Sequence, residues 1–235
     1  DTVARALDGC DHVVHLAALL TPACAADPPR GARVNLLGTL HVFEAARRAG
    51  LKHVVYASSA GVYGPSDPMH PLPTTLYGTW KLAGEGIARS YFADHGVGSV
   101  GLRPFVVYGA GREVGGSAGP SLACRAAARG EAYTIPFTGR TGLVHVDDVV
   151  QAFAAALQPR QRGAHVFDMP GITASMDELI AEIARQVPGA RITASGPPLP
   201  VAADIVRSDM SAVLGPLPVS TLAEGVAMTL AGSGR

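Results

Sequence analysis

The chain has little that would tie it to a membrane or a nucleic acid. Only 16% of its 235 residues are charged, and nineteen basic residues balance nineteen acidic ones without a cluster of either sign. Nucleic acids and anionic membranes select a concentrated basic face, so neither is expected to be a partner. The longest apolar run, Val13 to Ala26, is interrupted by His15, Thr21 and Pro22 and is too short to span a bilayer.

Cysteine is also scarce. Cys10, Cys24 and Cys124 are widely spaced and odd in number, which argues against a disulfide framework and favours a reducing cytoplasm. No set of His, Cys and carboxylate residues has metal-ligand spacing, so no metal is expected.

What the chain does have is hydrophobic residues, at 48%, arranged as buried strands that alternate with amphipathic helices. Strands are predicted near Val13–Leu16, His53–Ala57 and Val100–Leu102, and helices over about 31–49 and 76–95. This alternation predicts right-handed βαβ units and a parallel sheet. Glycine and serine crowd residues 109–119, which predicts a loop or lid, and the shorter elements that follow predict a smaller lobe.

The clearest chemical motif is Tyr77-Gly78-Thr79-Trp80-Lys81, in which a tyrosine and a lysine are one helical turn apart on the same face. Lowering the pKa of a phenol from about 10 to about 7–8 requires about 3–4 kcal/mol. One ammonium about 4 Å away in a partly screened site can supply about that much. The pair is therefore suited to general acid–base chemistry on an alcohol or ketone, although a partly exposed helix could carry both residues by chance.

Two serines stand where a buried strand ends, in His53–Gly64, HVVYASSAGVYG. Ligands of parallel sheets bind at the carboxyl ends of the strands, so Ser58 and Ser59 are well placed to meet a substrate. The alternative is that they only cap a turn.

The two motifs in this order resemble those of the extended short-chain dehydrogenases/reductases, the NAD-dependent epimerase/dehydratase family. The resemblance implies a Rossmann-like doubly wound parallel sheet with a small C-terminal substrate-binding lobe. Residues 1–108 would then be the remainder of the dinucleotide-binding domain. Residues 109–235 would be mainly the lobe, with some segments returning to the sheet. It also implies NAD as cofactor, with NADP as the alternative, and a homodimer.

The resemblance assigns site residues position by position. Ser59, Tyr77 and Lys81 would be catalytic. The implied cofactor contacts are Ala17, Ala18, Asn35, Ser58, Tyr77, Lys81 and Pro104. The implied substrate contacts are Ser59, Val106, Arg112 and Arg140.

Several of these residues also have a structural interpretation. Asn35 could equally hold the fold together, since a buried amide must find hydrogen-bond partners. Asp147 or Asp148, in LVHVDDVV, is expected to cap a helix. His15 and His145 lie in apolar strands and are expected to be core residues.

The sequence departs from the family in ways that bear on substrate. Relatives begin with a strand, a GxxGxxG turn and a helix that hold the pyrophosphate, and nothing precedes Asp1 here. We therefore expect a preceding segment in the parent protein. Val106 replaces a common Asn, Arg140 is one position from a common Arg, and Trp80 replaces a small residue. Dehydratases tend to have Asp-Glu where Ala60 and Gly61 stand, which disfavours dehydration.

The sequence thus predicts an NAD(P)-dependent oxidoreductase or epimerase. It would act by hydride transfer on a sugar, a nucleotide sugar or a related hydroxyl or carbonyl compound. The alternatives are a non-catalytic binding or regulatory protein of the same fold, or an inactive fragment of a larger enzyme.

Overall fold

The computed structural model describes residues 2–233 and has an α/β architecture. The strands are β1 Val13–His15, β2 His53–Ala57, β3 Gly98–Pro104, β4 Val106–Tyr108, β5 Ala132–Ile135, β6 Arg140–His145, β7 Ala164–Met169, β8 Ile172–Ser175 and β9 Arg191–Ala194. The α-helices are α1 Thr2–Ala6, α2 Thr21–Ala26, α3 Pro28–Ala32, α4 Gly38–Arg48, α5 Leu76–His95, α6 Gly119–Ala128, α7 Val146–Ala156, α8 Met176–Gln186, α9 Ser211–Leu214 and α10 Leu222–Gly232. A π-helical turn, Arg33–Leu37, joins α3 to α4, and a 3₁₀ turn, Ala60–Val62, follows β2.

The main sheet has the order β1-β2-β3-β7, and every pair of neighbours is parallel. This confirms the predicted parallel α/β sheet. Its central strands are buried on both faces, as the unbroken apolar runs require. Within the described residues β1 pairs with β2 alone, and Val14 and Leu16 beside its free edge are 38% and 59% exposed.

The second part of the molecule is built from two small sheets. One has the order β4-β6-β8, in which β4 and β6 are parallel and β8 is antiparallel to β6; the other pairs β5 with β9. Helices α6, α8 and α10 pack over these strands around a core that includes Ile135, Leu179 and Ile183. In the chain β7 comes after β4, β5 and β6 and before β8 and β9. It returns to the main sheet, where it pairs with β3.

The long helix α5 begins and ends where the sequence predicts. The Thr75 side chain accepts a hydrogen bond from the Gly78 N–H and caps the first turn. Gly96 adopts a left-handed conformation, φ 65°, and ends the helix. These two ends place Tyr77 and Lys81 in the first turns, beside the carboxyl ends of the strands.

One predicted cap is wrong. α7 is capped by His145, whose Nδ1 accepts a hydrogen bond from the Asp147 N–H at 3.3 Å. Asp148 instead accepts two hydrogen bonds from Ser220, from its N–H at 3.0 Å and its hydroxyl at 2.8 Å. Asp148 therefore anchors a distant segment, an interaction that local spacing does not reveal.

No membrane-crossing helix is found between residues 2 and 233.

Candidate active site

A cavity of about 500 Å³ lies at the carboxyl ends of β2 and β3. Its wall is made of segments from distant parts of the chain: residues 20–22, 57–61, 74–75, Tyr77, 104–107, Arg112, 114–117 and 199–201. The carboxyl ends of parallel strands are where α/β proteins bind ligands, because the loops there diverge and leave space. The cavity is therefore the first candidate for the active site.

Ser59 and Tyr77 share one wall of this cavity. The Ser59 oxygen accepts a hydrogen bond from the Gly61 N–H at 3.0 Å and so caps the 3₁₀ turn. Burial raises the pKa of the Tyr77 phenol, and a hydrogen bond with Ser59 lowers that pKa by a smaller amount. Ser59 thus caps the turn and also contacts the phenol, so its two interpretations are compatible.

Two glycines allow the Ser59 hydroxyl and the Tyr77 phenol to come into contact. A Cβ on Gly61 would lie 3.2 Å from Ser59 Oγ and 3.5 Å from a ring carbon of Tyr77. A Cβ on Gly78 would overlap the Gly61 carbonyl oxygen. The start of α5 can therefore pack directly on the turn after β2, which brings the two hydroxyls together.

Lys81 lies behind Tyr77 and is 9% exposed. Its Nζ donates a hydrogen bond to the Ala57 carbonyl at 2.6 Å and lies 5.7 Å from the centre of the Tyr77 ring. Burial lowers the pKa of the Lys81 ammonium to about 8. In this arrangement burial dominates the Tyr77 pKa, so the predicted lowering of that pKa by Lys81 is not observed.

Ser58, the predicted cofactor contact, uses its hydroxyl inside the protein. It donates to Glu85 Oε1 at 2.5 Å, and Glu85 is completely buried. Arg103 pairs with both oxygens of Glu85, from Nε at 2.8 Å and Nη2 at 2.7 Å. Arg103 Nη1 also donates to the Tyr63 hydroxyl at 2.8 Å and to Asp168 at 3.3 Å.

This buried network was missed by the sequence analysis. It joins β2, α5, β3 and β7 directly behind the cavity. A signal was present: Glu85 follows Lys81 by four residues, so it lies on the same face of α5 as Tyr77 and Lys81. A carboxylate on a buried helical face must be paired, and Arg103, next to Pro104, is its partner.

Asn35 has a structural role here. Its Oδ1 accepts from the Leu19 N–H at 2.8 Å, and its Nδ2 donates to the Leu19 carbonyl at 2.9 Å and to Cys24 Sγ at 3.2 Å. It fixes the loop whose next residues, Leu20 and Thr21, line the cavity.

Three other predicted contacts also lie away from the cavity wall. Ala17 and Ala18 precede the lining segment. Arg140, a predicted substrate contact, is not among the lining residues: its side chain is 53% exposed and pairs with Glu178 at 3.4 Å.

Pro104, Val106 and Arg112 do line the cavity, as predicted for contact residues. Trp80, the unusual residue of the motif, packs over Gly31, where a Cβ would overlap the indole ring. His15 is a core residue whose Nε2 bonds Thr39 Oγ1 at 3.0 Å. Burial lowers the pKa of His15 to about 4, so the ring is neutral near pH 7.

Comparison with known proteins agrees with this arrangement. The family model of the NAD-dependent epimerase/dehydratase family matches residues 1–169. The chain is 34% identical over 234 residues to a UDP-glucose 4-epimerase of Mycolicibacterium smegmatis, covering 93% of this chain and 74% of that protein. It is 34% identical over 110 residues to a uronate dehydrogenase of Pseudomonas syringae pv. tomato, covering 44% of this chain and 39% of that protein.

A solved structure is similar over the whole chain. It is MoeE5 in complex with UDP-glucose and NAD, with a TM-score of 0.85 and 30% sequence identity, and the match covers 100% of this chain and 83% of that one. The family model spans well over half of the chain, and it includes both motifs of the cavity wall. The chain therefore belongs to the NAD-dependent epimerase/dehydratase family.

Proposed function

We propose that the protein is an NAD(P)-dependent oxidoreductase or epimerase that transfers a hydride at a hydroxyl-bearing carbon of a sugar-related substrate. The observation that carries the proposal is the placement of Tyr77 and Ser59 on one cavity wall with Lys81 behind them. Membership of a family that includes epimerases and dehydrogenases supports the same chemistry.

The residues present fit the nicotinamide end of such a cofactor. The Lys81 ammonium has three N–H donors, and among residues 2–233 one of them has an acceptor, the Ala57 carbonyl. The remaining donors suit the hydroxyls of a ribose, with Tyr77 and Pro104 beside it on the wall. A bound nicotinamide ring would supply the hydride acceptor or donor.

The protein's own residues would handle the proton. In the direction of oxidation, the phenolate oxygen of Tyr77 would take the proton of the substrate hydroxyl, the substrate carbon would give its hydride to the nicotinamide, and the substrate oxygen would become a carbonyl oxygen. Ser59 donates a hydrogen bond to the same oxygen and so orients it. The hydrogen bond with Ser59 and the charge of Arg112 favour the phenolate form of Tyr77, against the rise in pKa that burial causes.

The first test is binding of NAD⁺, NADP⁺ and NADH, followed by the midpoint of thermal unfolding. A ligand at a hundredfold its Kd adds roughly 2.7 kcal/mol to the free energy of unfolding, which is readily detected. Failure of all three dinucleotides to raise the midpoint would overturn the proposal for this chain, in favour of a non-catalytic protein or an inactive fragment of a larger enzyme.

The second test is Tyr77→Phe, which removes the proton-transferring oxygen and retains the ring. We expect loss of turnover with nearly unchanged dinucleotide affinity. Tyr91→Phe is the matched control, because Tyr91 is on the same helix and its hydroxyl donates to Glu44 at 3.1 Å, away from the cavity. Retained turnover in Tyr77→Phe would contradict the assignment.

A further inference from the structure

The cavity wall carries a single charge. Among residues 2–233 that line it, Arg112 is the one ionised side chain, and no carboxylate stands on the wall. A cavity with one fixed positive charge favours an anionic ligand, because the attraction is stronger in a partly water-excluded site than in bulk water.

Arg112 is also without a counter-ion among residues 2–233. Its guanidinium donates to the Val107 carbonyl and to Ser117 Oγ, the latter at 2.9 Å. Over the part of the chain that the structure describes, no carboxylate pairs with Arg112, and the neighbouring Glu113 pairs with Arg125 at 2.8 Å. Burial lowers the pKa of the Arg112 guanidinium, and the nearby Tyr77 raises it by a smaller amount.

Arg103 makes the contrast clear. It is also largely buried, and it pairs with two carboxylates, Glu85 and Asp168. Buried arginines are ordinarily neutralised in this way, since an unpaired charge out of water is costly. Arg112 has five N–H donors and uses two on the protein, one from each terminal nitrogen, so three donors remain for a carboxylate.

Three hydroxyls of the wall are already engaged within the protein. The hydroxyls of Ser58 and Ser117 are bound to Glu85 and Arg112, and Thr75 Oγ1 accepts from the Gly78 N–H. Phe105, Val106 and residues 199–201 present apolar surface. A ligand with two phosphates would bring more negative charge than the one guanidinium of this wall can pair, and unmet charges weaken binding.

We propose that Arg112 is the substrate-anion site and that the substrate is a hydroxy acid or oxo acid carrying one carboxylate. The carboxylate binds the Arg112 fork while the reacting oxygen lies at Ser59 and Tyr77. This inference rests on the proposed function, and it narrows the substrate to one chemical class.

The test compares carboxylates with their uncharged twins. The probes are D-galacturonate and 3-hydroxybutyrate, the methyl ester of each, and UDP-glucose, titrated calorimetrically with and without saturating NAD⁺. We expect at least one free acid to bind about tenfold or more tightly than its ester, the value of one charge-assisted hydrogen bond.

Arg112→Met is expected to remove this preference while leaving NAD⁺ affinity unchanged. Arg185→Met, on the surface of α8 and 63% exposed, is the control and should keep the preference. Equal binding of acids and esters, no binding of either acid, or tight UDP-glucose binding that Arg112→Met leaves intact would each overturn the proposal.

The outcome separates this inference from the proposed function. If NAD⁺ binds and turnover depends on Tyr77 while acids and esters bind alike, the substrate class is wrong and the hydride-transfer function stands. If the acids bind through Arg112 but no dinucleotide binds, the anion site is real and the hydride-transfer function is wrong.

Discussion

At the scale of single residues, Lys81 is a buried lysine whose surroundings disfavour the charged form of its side chain. Lys81 is 9% exposed, and its ammonium donates a hydrogen bond to the Ala57 carbonyl and lies over the ring of Tyr77. Because burial lowers its pKa from 10.5 to about 8, the unfolded chain binds a proton that the folded protein releases between these two values. The free energy of unfolding therefore rises with pH across that interval. Below about pH 8 the folded protein bears the full cost of burying the charged ammonium.

We predict that Lys81→Met removes this pH dependence. Between pH 8 and pH 10.5, the free energy of unfolding of the wild type should rise relative to that of Lys81→Met by up to about 3 kcal/mol. Chemical denaturation at a series of pH values measures the difference.

Lys52, the other lysine of the chain, supplies the control. It is exposed, so Lys52→Met should run parallel to the wild type over the same pH range. Parallel curves for Lys81→Met and the wild type would show that the folded protein solvates the Lys81 ammonium.

At the scale of elements, the packing of the start of α5 against the turn after β2 sets the geometry of the site. The contact depends on Gly78, because a Cβ there would overlap the Gly61 carbonyl oxygen and lie 2.9 Å from Pro73 Cβ. Backbone cannot yield as a flexible side chain does, so the helix would have to move.

We predict that Gly78→Ala lowers the free energy of unfolding by about 1–3 kcal/mol, despite the better helix propensity of alanine. Turnover should fall as well, since Tyr77 moves away from Ser59. The same substitution at Gly86 is the control, because its Cβ would lie 3.8 Å from Arg89 Nη2, an ordinary contact. Gly86→Ala should stabilise by up to about 1 kcal/mol; a loss equal to that of Gly78→Ala would refute the packing argument.

At the scale of the whole molecule, the network around Arg103 connects the parallel sheet to the wall of the cavity. Asp168 on β7 accepts from the Ser208 hydroxyl at 3.2 Å, and Ser208 follows the segment that contributes residues 199–201 to the cavity. Glu85 on α5 and Ser58 after β2 complete the network from the other side. The segments that form the site are therefore held by one set of buried charges.

We predict that Arg103→Met lowers the free energy of unfolding by about 3–5 kcal/mol, because Glu85 and Asp168 are left buried without a cation. Glu85→Gln added to Arg103→Met should recover part of that loss, which a double-mutant cycle measures.

The matched control is Arg185→Met. Arg185 forms a similar two-bond pair with Glu182 at 2.9 and 2.6 Å, but on the surface, so little change is expected. A similar loss in both variants would mean that burial is not what makes the Arg103 network important.

Much of this organisation could be predicted from local pattern. The ends of α5, the limits of β2 and the loop over 109–119 follow from caps, apolar runs and glycine, which act over a few residues. Features set by distant partners could not be predicted in this way. Asp148 was expected to cap its own helix and binds Ser220, 72 residues away.

The parallel α/β plan and the motifs SSAGVYG and YGTWK follow from the amino-acid sequence, because strand burial, helical spacing and turn chemistry are local properties. The partners of the charged and polar groups depend on the folded chain instead. In the fold, Asn35 bonds Leu19, Ser58 bonds Glu85 and Arg140 pairs with Glu178. Arg112 lies at the cavity, and no carboxylate of the described residues pairs with it. The physical reason is that a charge or amide is satisfied by whichever group burial brings next to it, and that depends on the packing of the whole chain.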